Sequence, residues 1–266
     1  MSDYVPPYAH KLLAIGSTSK LWRHRAREGV VIKSQLVAPQ DHIDQRKFET
    51  ELRVLTALGD HPRIVRYLGL LDVFNFGHGL LFEEAVHGDV QQYLNLPSSH
   101  ISDDLRIKWC KQAAEALAYC HSKNVLHCDL RPENMLLDAK LDLSLCDFGG
   151  STYGEYVGLG LPDVGFFNSL DESWSVTKSM ELFGLGSSFY TIMTSHLPHG
   201  PRRLRTPKDR SEYEKRFERL WTMGDVPDTS GIKGGPIIMD CWTARVTSAG
   251  EVFTLYKKLE MDLKSC

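Results

Sequence analysis

Between Val125 and Asp138 the chain reads VLHCDLRPENMLLD, in which a histidine, an acid, an arginine and an asparagine are enclosed by two apolar runs. The flanking Val-Leu and Met-Leu-Leu want burial, while Pro132 removes a backbone donor and denies the centre a regular helix or strand. The segment is therefore predicted to be an irregular loop set into a core, the setting in which chemistry-bearing side chains are commonly held.

Upstream of this loop the texture is helical. Leu105, Trp109, Ala113, Ala116, Leu117 and Cys120 fall on one stripe, with Ser102 or Asp103 able to cap its start. Further upstream, short β-prone runs dominate: KLLAIGSTSKLW, GVVIKSQLV, RIVRYLGLLD and HGLLFEEA, the last two separated by the turn-like NFGHG. One helix interrupts them over 43–58, where Phe48, Leu52 and Leu55 recur at helical spacing before GDHP ends the run. The polar connector EEAVHGD, with Gly88, divides a strand-rich part from a helical part, and a cleft is expected where they meet.

Composition sets limits on partners. The 266 residues are 42% hydrophobic and 24% charged, enough to bury a core and not the profile of a disordered or fibrous chain. Lys and Arg number 31 against 34 Asp and Glu, a net charge of -3, which gives no reason to expect a nucleic-acid or anionic-membrane partner. Six cysteines stand singly without metal-ligand spacing, so free thiols in a reducing compartment are expected and zinc is not. The N-terminal residues lack a signal pattern and no apolar run is long enough for a bilayer, which predicts an intracellular, cytoplasmic protein with no membrane insertion.

Four motifs in chain order resemble the eukaryotic protein kinase family. VVIK (Val30–Lys33) resembles its lysine-bearing strand, HCDLRPEN (His127–Asn134) its catalytic loop, CDFGG (Cys146–Gly150) its metal-binding motif, and GGPIIMDCW a late helix. The resemblance runs from about Leu12 to about Leu259. It implies an α+β, two-lobed fold in one domain over 10–262, with a small antiparallel sheet and one helix in an N-lobe (10–85) and a mainly helical C-lobe (86–262). It also implies ATP and Mg2+ as cofactors, a protein as acceptor and a monomeric enzyme. Because RPEN follows Asp129, the loop is similar to those of serine/threonine kinases rather than tyrosine kinases.

Phosphoryl transfer asks a protein mainly for a fixed cation, metal-binding oxygens and a group that orients the acceptor hydroxyl. Lys33 supplies the cation, paired with Glu51 in preference to the nearby Glu49. Asp129 orients the hydroxyl, Arg131 adds charge beside it, and Asn134 and Asp147 hold the metal. On the family's pattern, nucleotide contacts fall to Ala14, Ile15, Gly16, Ser19, Leu21, Val31, Phe82, Glu83, Ala85 and Leu136.

Departures from that pattern carry their own expectations. AIGSTSKL keeps only Gly16 of the glycine-rich loop, which predicts weakened phosphate cradling. Cys128 replaces the arginine that receives an activation-segment phosphate, so phosphorylation of that short segment should not switch the protein on. Leu161-Pro162-Asp163 resembles the segment's end, and Glu181 stands where the family has an aspartate bracing the catalytic loop. His127 is read as a packed structural histidine beneath Phe148, Cys146 as an inert buried thiol, and PRRLRTPKDR as a solvated loop before a helix. The I-x-x-C-W tail and compact segment are similar to fungal members. The competing reading is a pseudokinase, a binding or scaffolding module of the same fold with little or no phosphotransfer. A small-molecule phosphotransferase is disfavoured by CDFGG and IIMDCW.

Overall fold

A computed structural model describes residues 6–16, 19–35, 42–73, 77–97, 101–158, 160, 162–170 and 176–265. The tip of the Gly16 loop, the first residues of NFGHG and Leu161 lie outside these.

The N-terminal part is a five-stranded antiparallel sheet of β1 (Ala9–Ile15), β2 (Ser19–His24), β3 (Val30–Gln35), β4 (Tyr67–Val73) and β5 (Gly77–Glu83), in the order β1-β2-β3-β5-β4. The alternation of VVIK sorts its side chains across the pleat. Val30 and Ile32 bury with Ala9, Trp22 and Leu81 on one face, while Val31 joins the main core with Leu80 and Phe82 on the other. Lys33 therefore shares the face of Val31 and projects toward the helix beneath it. That helix, α1 (His42–Leu58), buries Val54, Leu55 and Leu58.

The expected strand from Arg63 starts later. Residues 63–66 are irregular, because Arg63 and Ile64 are recruited by the C-terminal part: Ile64 bridges Leu145 and the Arg63 guanidinium donates to Leu143 O at 3.0 Å. The NFGHG turn is likewise shifted, since Gly77–Gly79 already belong to β5.

Past the connector come α2 (Val90–Leu94), capped by Asp89, and α3 (Asp103–Ser122), capped by the Ser102 hydroxyl, which accepts from Leu105 N at 3.3 Å. The α3 stripe is the spine of the lobe: Trp109, Ala113, Ala116, Leu117 and Cys120 are buried. Short pairs follow, β6 (Val125–Leu126) with β9 (Thr152–Tyr153), and β7 (Met135–Leu137) with β8 (Leu143–Leu145). They pin the quoted loop at both ends. Helices α4 (Lys178–Thr194), α5 (Pro207–Thr222), α6 (Gly235–Trp242) and α7 (Ala249–Lys264) complete a mainly helical lobe. The α+β architecture expected from the sequence is the one observed. Among the described residues no helix is long and apolar enough to cross a membrane.

Candidate active site

The loop between β6 and β7 is held by polar contacts that its sequence supplies. His127 is fully buried; its Nε2 donates to Cys146 O at 2.8 Å while its Nδ1 accepts from Asp129 N at 3.3 Å, one tautomer serving both. Its ring meets Phe148 edge-on at 4.9 Å. Cys128 has φ 69°, a conformation that costs a residue with a Cβ on the order of 1–3 kcal/mol and needs bracing. The brace is buried Glu181 of α4, which accepts from Cys128 N at 2.9 Å and pairs with His121 Nε2 at 2.7 Å.

On this frame the charged groups converge. Lys33 Nζ donates to Glu51 Oε1 and Oε2 at 2.9 and 2.7 Å and to Asp147 Oδ1 at 2.7 Å, joining sheet, α1 and the post-β8 turn across the cleft. Burial opposes the Lys33 charge, but Glu51 and Asp147 outweigh it and hold the ammonium well above the usual lysine range. Lys33 in turn depresses the Asp147 carboxyl below its ordinary value despite burial, whereas burial pushes Glu51 up with Lys33 opposing. Glu49 points elsewhere and accepts from Gln45.

Asn134 Nδ2 donates to Asp129 O and Oδ2 at 2.8 and 2.9 Å, so the five-residue spacing closes into a turn that fixes the Asp129 carboxylate. Burial raises the Asp129 carboxyl and the Arg131 charge opposes the rise, with Arg131 Nε 3.4 Å from Asp129 Oδ2.

Of the residues assigned to nucleotide contact, all but Leu136 of β7 and Ala85 of the connector lie in the five-stranded sheet or its β1–β2 turn. Val31 and Phe82 are buried partners across β3 and β5, Leu21 and Leu136 are half-buried, and Ala14, Ile15 and Gly16 form an exposed edge. Ser19 starts β2, and its carbonyl accepts from Gly16 N at 2.8 Å. Glu83 turns its side chain to Arg66 at the surface, which leaves only its backbone for a ligand, and Ala85 O accepts from Gly88 N at 3.0 Å. Cys146, half-buried, has its thiol pushed far up by burial and by Asp147, so it is a poor nucleophile.

Donor chemistry decides which metal these residues suit. Among the described residues no group of three or more His, Cys, Asp and Glu side chains is arranged to hold an ion. Two oxygen donors, one each from Asn134 and Asp147, suit magnesium, which keeps waters and substrate phosphate oxygens, and do not suit a closed zinc site.

A sequence pattern for the protein kinase domain matches residues 14–160, more than half of the 266-residue chain. The chain belongs to the protein kinase family. Among curated kinases it is similar to the carbon catabolite-derepressing protein kinase of Secale cereale, 30% identical over 155 residues that make up 53% of this chain and 29% of that protein. It is also similar to serine/threonine-protein kinase SIK2 of Gallus gallus, 28% identical over 216 residues, 79% of this chain and 27% of that one. An Aurora kinase of Patiria pectinifera matches at 31% identity over 144 residues, 53% of this chain and 35% of the relative. The aligned part is thus well under half the length of each of these relatives.

Two features of this kinase domain escaped the sequence. The basic loop is anchored rather than merely solvated: Arg202 donates to Leu94 O, and Arg210 Nη1 to Asp163 Oδ1 at 3.1 Å. Asp163 also accepts from Arg131, so the segment's end is tied to the catalytic loop. The second feature is the bed of Cys128. A Cβ on Gly158 would lie 2.9 Å from Cys128 Sγ and 2.8 Å from Thr152 Oγ1, and one on Gly160 would lie 3.1 Å from Cys128 Cβ. The glycines and the small thiol form one close-packed seam. Glycine enrichment was visible in the sequence; its contact with Cys128 was not.

Proposed function

We propose that this kinase domain transfers the terminal phosphate of ATP to serine or threonine hydroxyls of a protein acceptor. The observation that carries the reading is Lys33 Nζ, held at once by Glu51 from α1 and Asp147 from the opposite wall. That arrangement fixes a cation where phosphates enter the cleft and aligns the lobes for transfer. Magnesium, taken by Asn134 and Asp147, would supply neutralisation of the phosphate charge. Asp129, fixed by Asn134, orients the acceptor hydroxyl and takes its proton, and Arg131 places a second cation beside it. The serine/threonine assignment rests on the RPEN continuation and on the printed names of the relatives.

The alternative, a binding module with little transfer, draws on the cover loop, where Gly16 alone remains. One paired measurement separates the two: magnesium-ATP binding by calorimetry, and labelled phosphate transfer to a generic basic protein. Binding with transfer that Asp129→Asn abolishes while leaving ATP affinity nearly intact supports the enzyme. Binding without transfer, or equal transfer by wild type and Asp129→Asn, overturns it.

A further inference from the structure

Arg131 faces two acids. Its Nε lies 3.4 Å from Asp129 Oδ2, and its Nη1 donates to Asp163. The Nε is buried yet makes no hydrogen bond, so the contact with Asp129 is electrostatic and unclosed, whereas the contact with Asp163 is bonded. Asp163 is itself gripped from the far side by Arg210 Nη1 of α5 at 3.1 Å. Asp163 and Arg210 line a cavity of about 410 Å³ together with Asp89, Glu133 and Tyr213. Arg131 thus links Asp163, at the edge of this cavity, to Asp129.

We propose that Asp163 is a positioning residue for phosphoryl transfer, holding the Arg131 guanidinium off the Asp129 carboxylate so that Asp129 keeps an oxygen open to the acceptor hydroxyl. The reasoning is a competition between two carboxylates for one guanidinium. With both charged, Arg131 is shared, and Arg210 keeps Asp163 from following it inward. With Asp163 neutralised, Arg131 is left facing Asp129, whose Oδ2 already accepts from Asn134 Nδ2 at 2.9 Å, and a guanidinium fork closing there occupies the remaining lone pairs that the hydroxyl needs. Asp163 and Arg210 are both substantially solvent-accessible, with side chains 35% and 53% exposed, so the network adds little to folding stability and its loss should be read in catalysis.

This inference rests on the kinase reading, and the experiment separates the two. Steady-state transfer to a generic basic protein is measured for wild type, Asp163→Asn, Asp163→Glu, Arg131→Ala and the Asp163→Asn/Arg131→Ala pair, with melting temperatures alongside. For Asp163→Asn, kcat is expected to fall by roughly 10-fold to 100-fold with KM for ATP and melting temperature unchanged. Asp163→Glu, which restores the charge, is expected to recover most of the rate. The double variant should be no slower than Arg131→Ala, because Asp163 acts only through Arg131. An active wild type with Asp163→Asn within about twofold of it in kcat overturns the positioning role alone. Loss of kcat that tracks a lowered melting temperature, or a double variant slower by the product of the single losses, overturns it as well. A wild type that binds ATP but transfers nothing overturns the kinase reading and this inference with it.

Discussion

The transfer site and the activation segment lie next to each other and are held by opposite means. Around Lys33 the structure relies on charge: one half-buried ammonium is shared between buried Glu51 of α1 and more exposed Asp147 across the cleft. Along 150–160 it relies on fit: Gly158 N donates to Thr152 Oγ1 at 2.8 Å, Gly160 N to Gly150 O at 3.0 Å, and the glycine backbone lies directly on Cys128. From α1, Arg46 donates to Val157 O at 3.0 Å and Arg53 covers the Tyr156 ring at 4.7 Å, so the helix that carries Glu51 also touches the segment. The contrast teaches where charge is indispensable. Phosphate chemistry needs ions, whereas this segment is held by glycine packing and by two arginines of α1 that meet a carbonyl and a ring, and on that footing an added phosphate is expected not to activate.

The largest effects should come from the charged side of this comparison. Lys33→Met leaves buried Glu51 without its counter-ion, Asp147→Ala leaves Lys33 to Glu51 alone, both remove charge from the phosphate site, and each is expected to cut transfer by at least about a hundredfold. Radiolabel transfer and ATP calorimetry check this. If neither rate nor affinity changes in either variant, the cleft is misassigned.

Next comes the seam. Cys128 is 1% exposed, its backbone is left-handed, and Glu181 nearby is already engaged by His121 and Cys128 N. Cys128→Arg would bury a guanidinium without a free counter-ion, and about 3–5 kcal/mol of destabilisation is expected in urea melts. Gly158→Ala is also costly, since its methyl would collide with the Gly150 carbonyl as well as with Cys128 Sγ and Thr152 Oγ1, and about 1–3 kcal/mol or more is expected. Phosphatase treatment of protein purified from cells should leave the rate unchanged. A large fall in rate after dephosphorylation, or a Cys128→Arg variant as stable as wild type, would break the contrast between charge and contact.

How much of this could be read from the chain depends on the range of the interactions. The α3 stripe is a local periodicity, and it placed the spine of the helical lobe, with Leu105 half-buried at its edge. Glu51 was preferred over Glu49 because its spacing to Leu55 and Leu58 resembles the family helix, and α1 turns Glu51 to Lys33 and Glu49 to Gln45. Arg63–Arg66 read as strand because their composition is β-prone, yet tertiary contacts with Leu143 and Leu145 took them elsewhere. Asp163 with Arg131 and Arg210, and Gly158 with Cys128, join residues about 30 or more positions apart. Neither spacing nor propensity encodes such pairs, so the basic loop, which is indeed mostly exposed, was read without its ties to Leu94 and Asp163.

The smallest expected effect tests the border between the two regimes, the cover loop on β1 and β2. Ala14 pairs with Leu21 just after a register shift between Leu12 and Ala14, Ser19 pairs with Gln35, and Gly16 N donates to Ser19 O at 2.8 Å. Nothing in this backbone excludes nucleotide, but the Ala14 methyl and the Ser19 side chain occupy positions where the family pattern has none. Replacing both with glycine permits a closer backbone approach to phosphate, while each glycine loosens its strand by about 0.5–1 kcal/mol. The two terms nearly offset, so Ala14→Gly with Ser19→Gly is expected to tighten magnesium-ATP by only about threefold to tenfold, at most ~1.4 kcal/mol. Calorimetry reads the affinity and a thermal melt reads the loosened hairpin. Tighter binding with a slightly lower melting temperature places the cover loop with the charged site, as a surface limited by approach to phosphate. Unchanged affinity would mean that the alanine and serine already fit, and that contact, as along the activation segment, does here what glycine does in the family pattern.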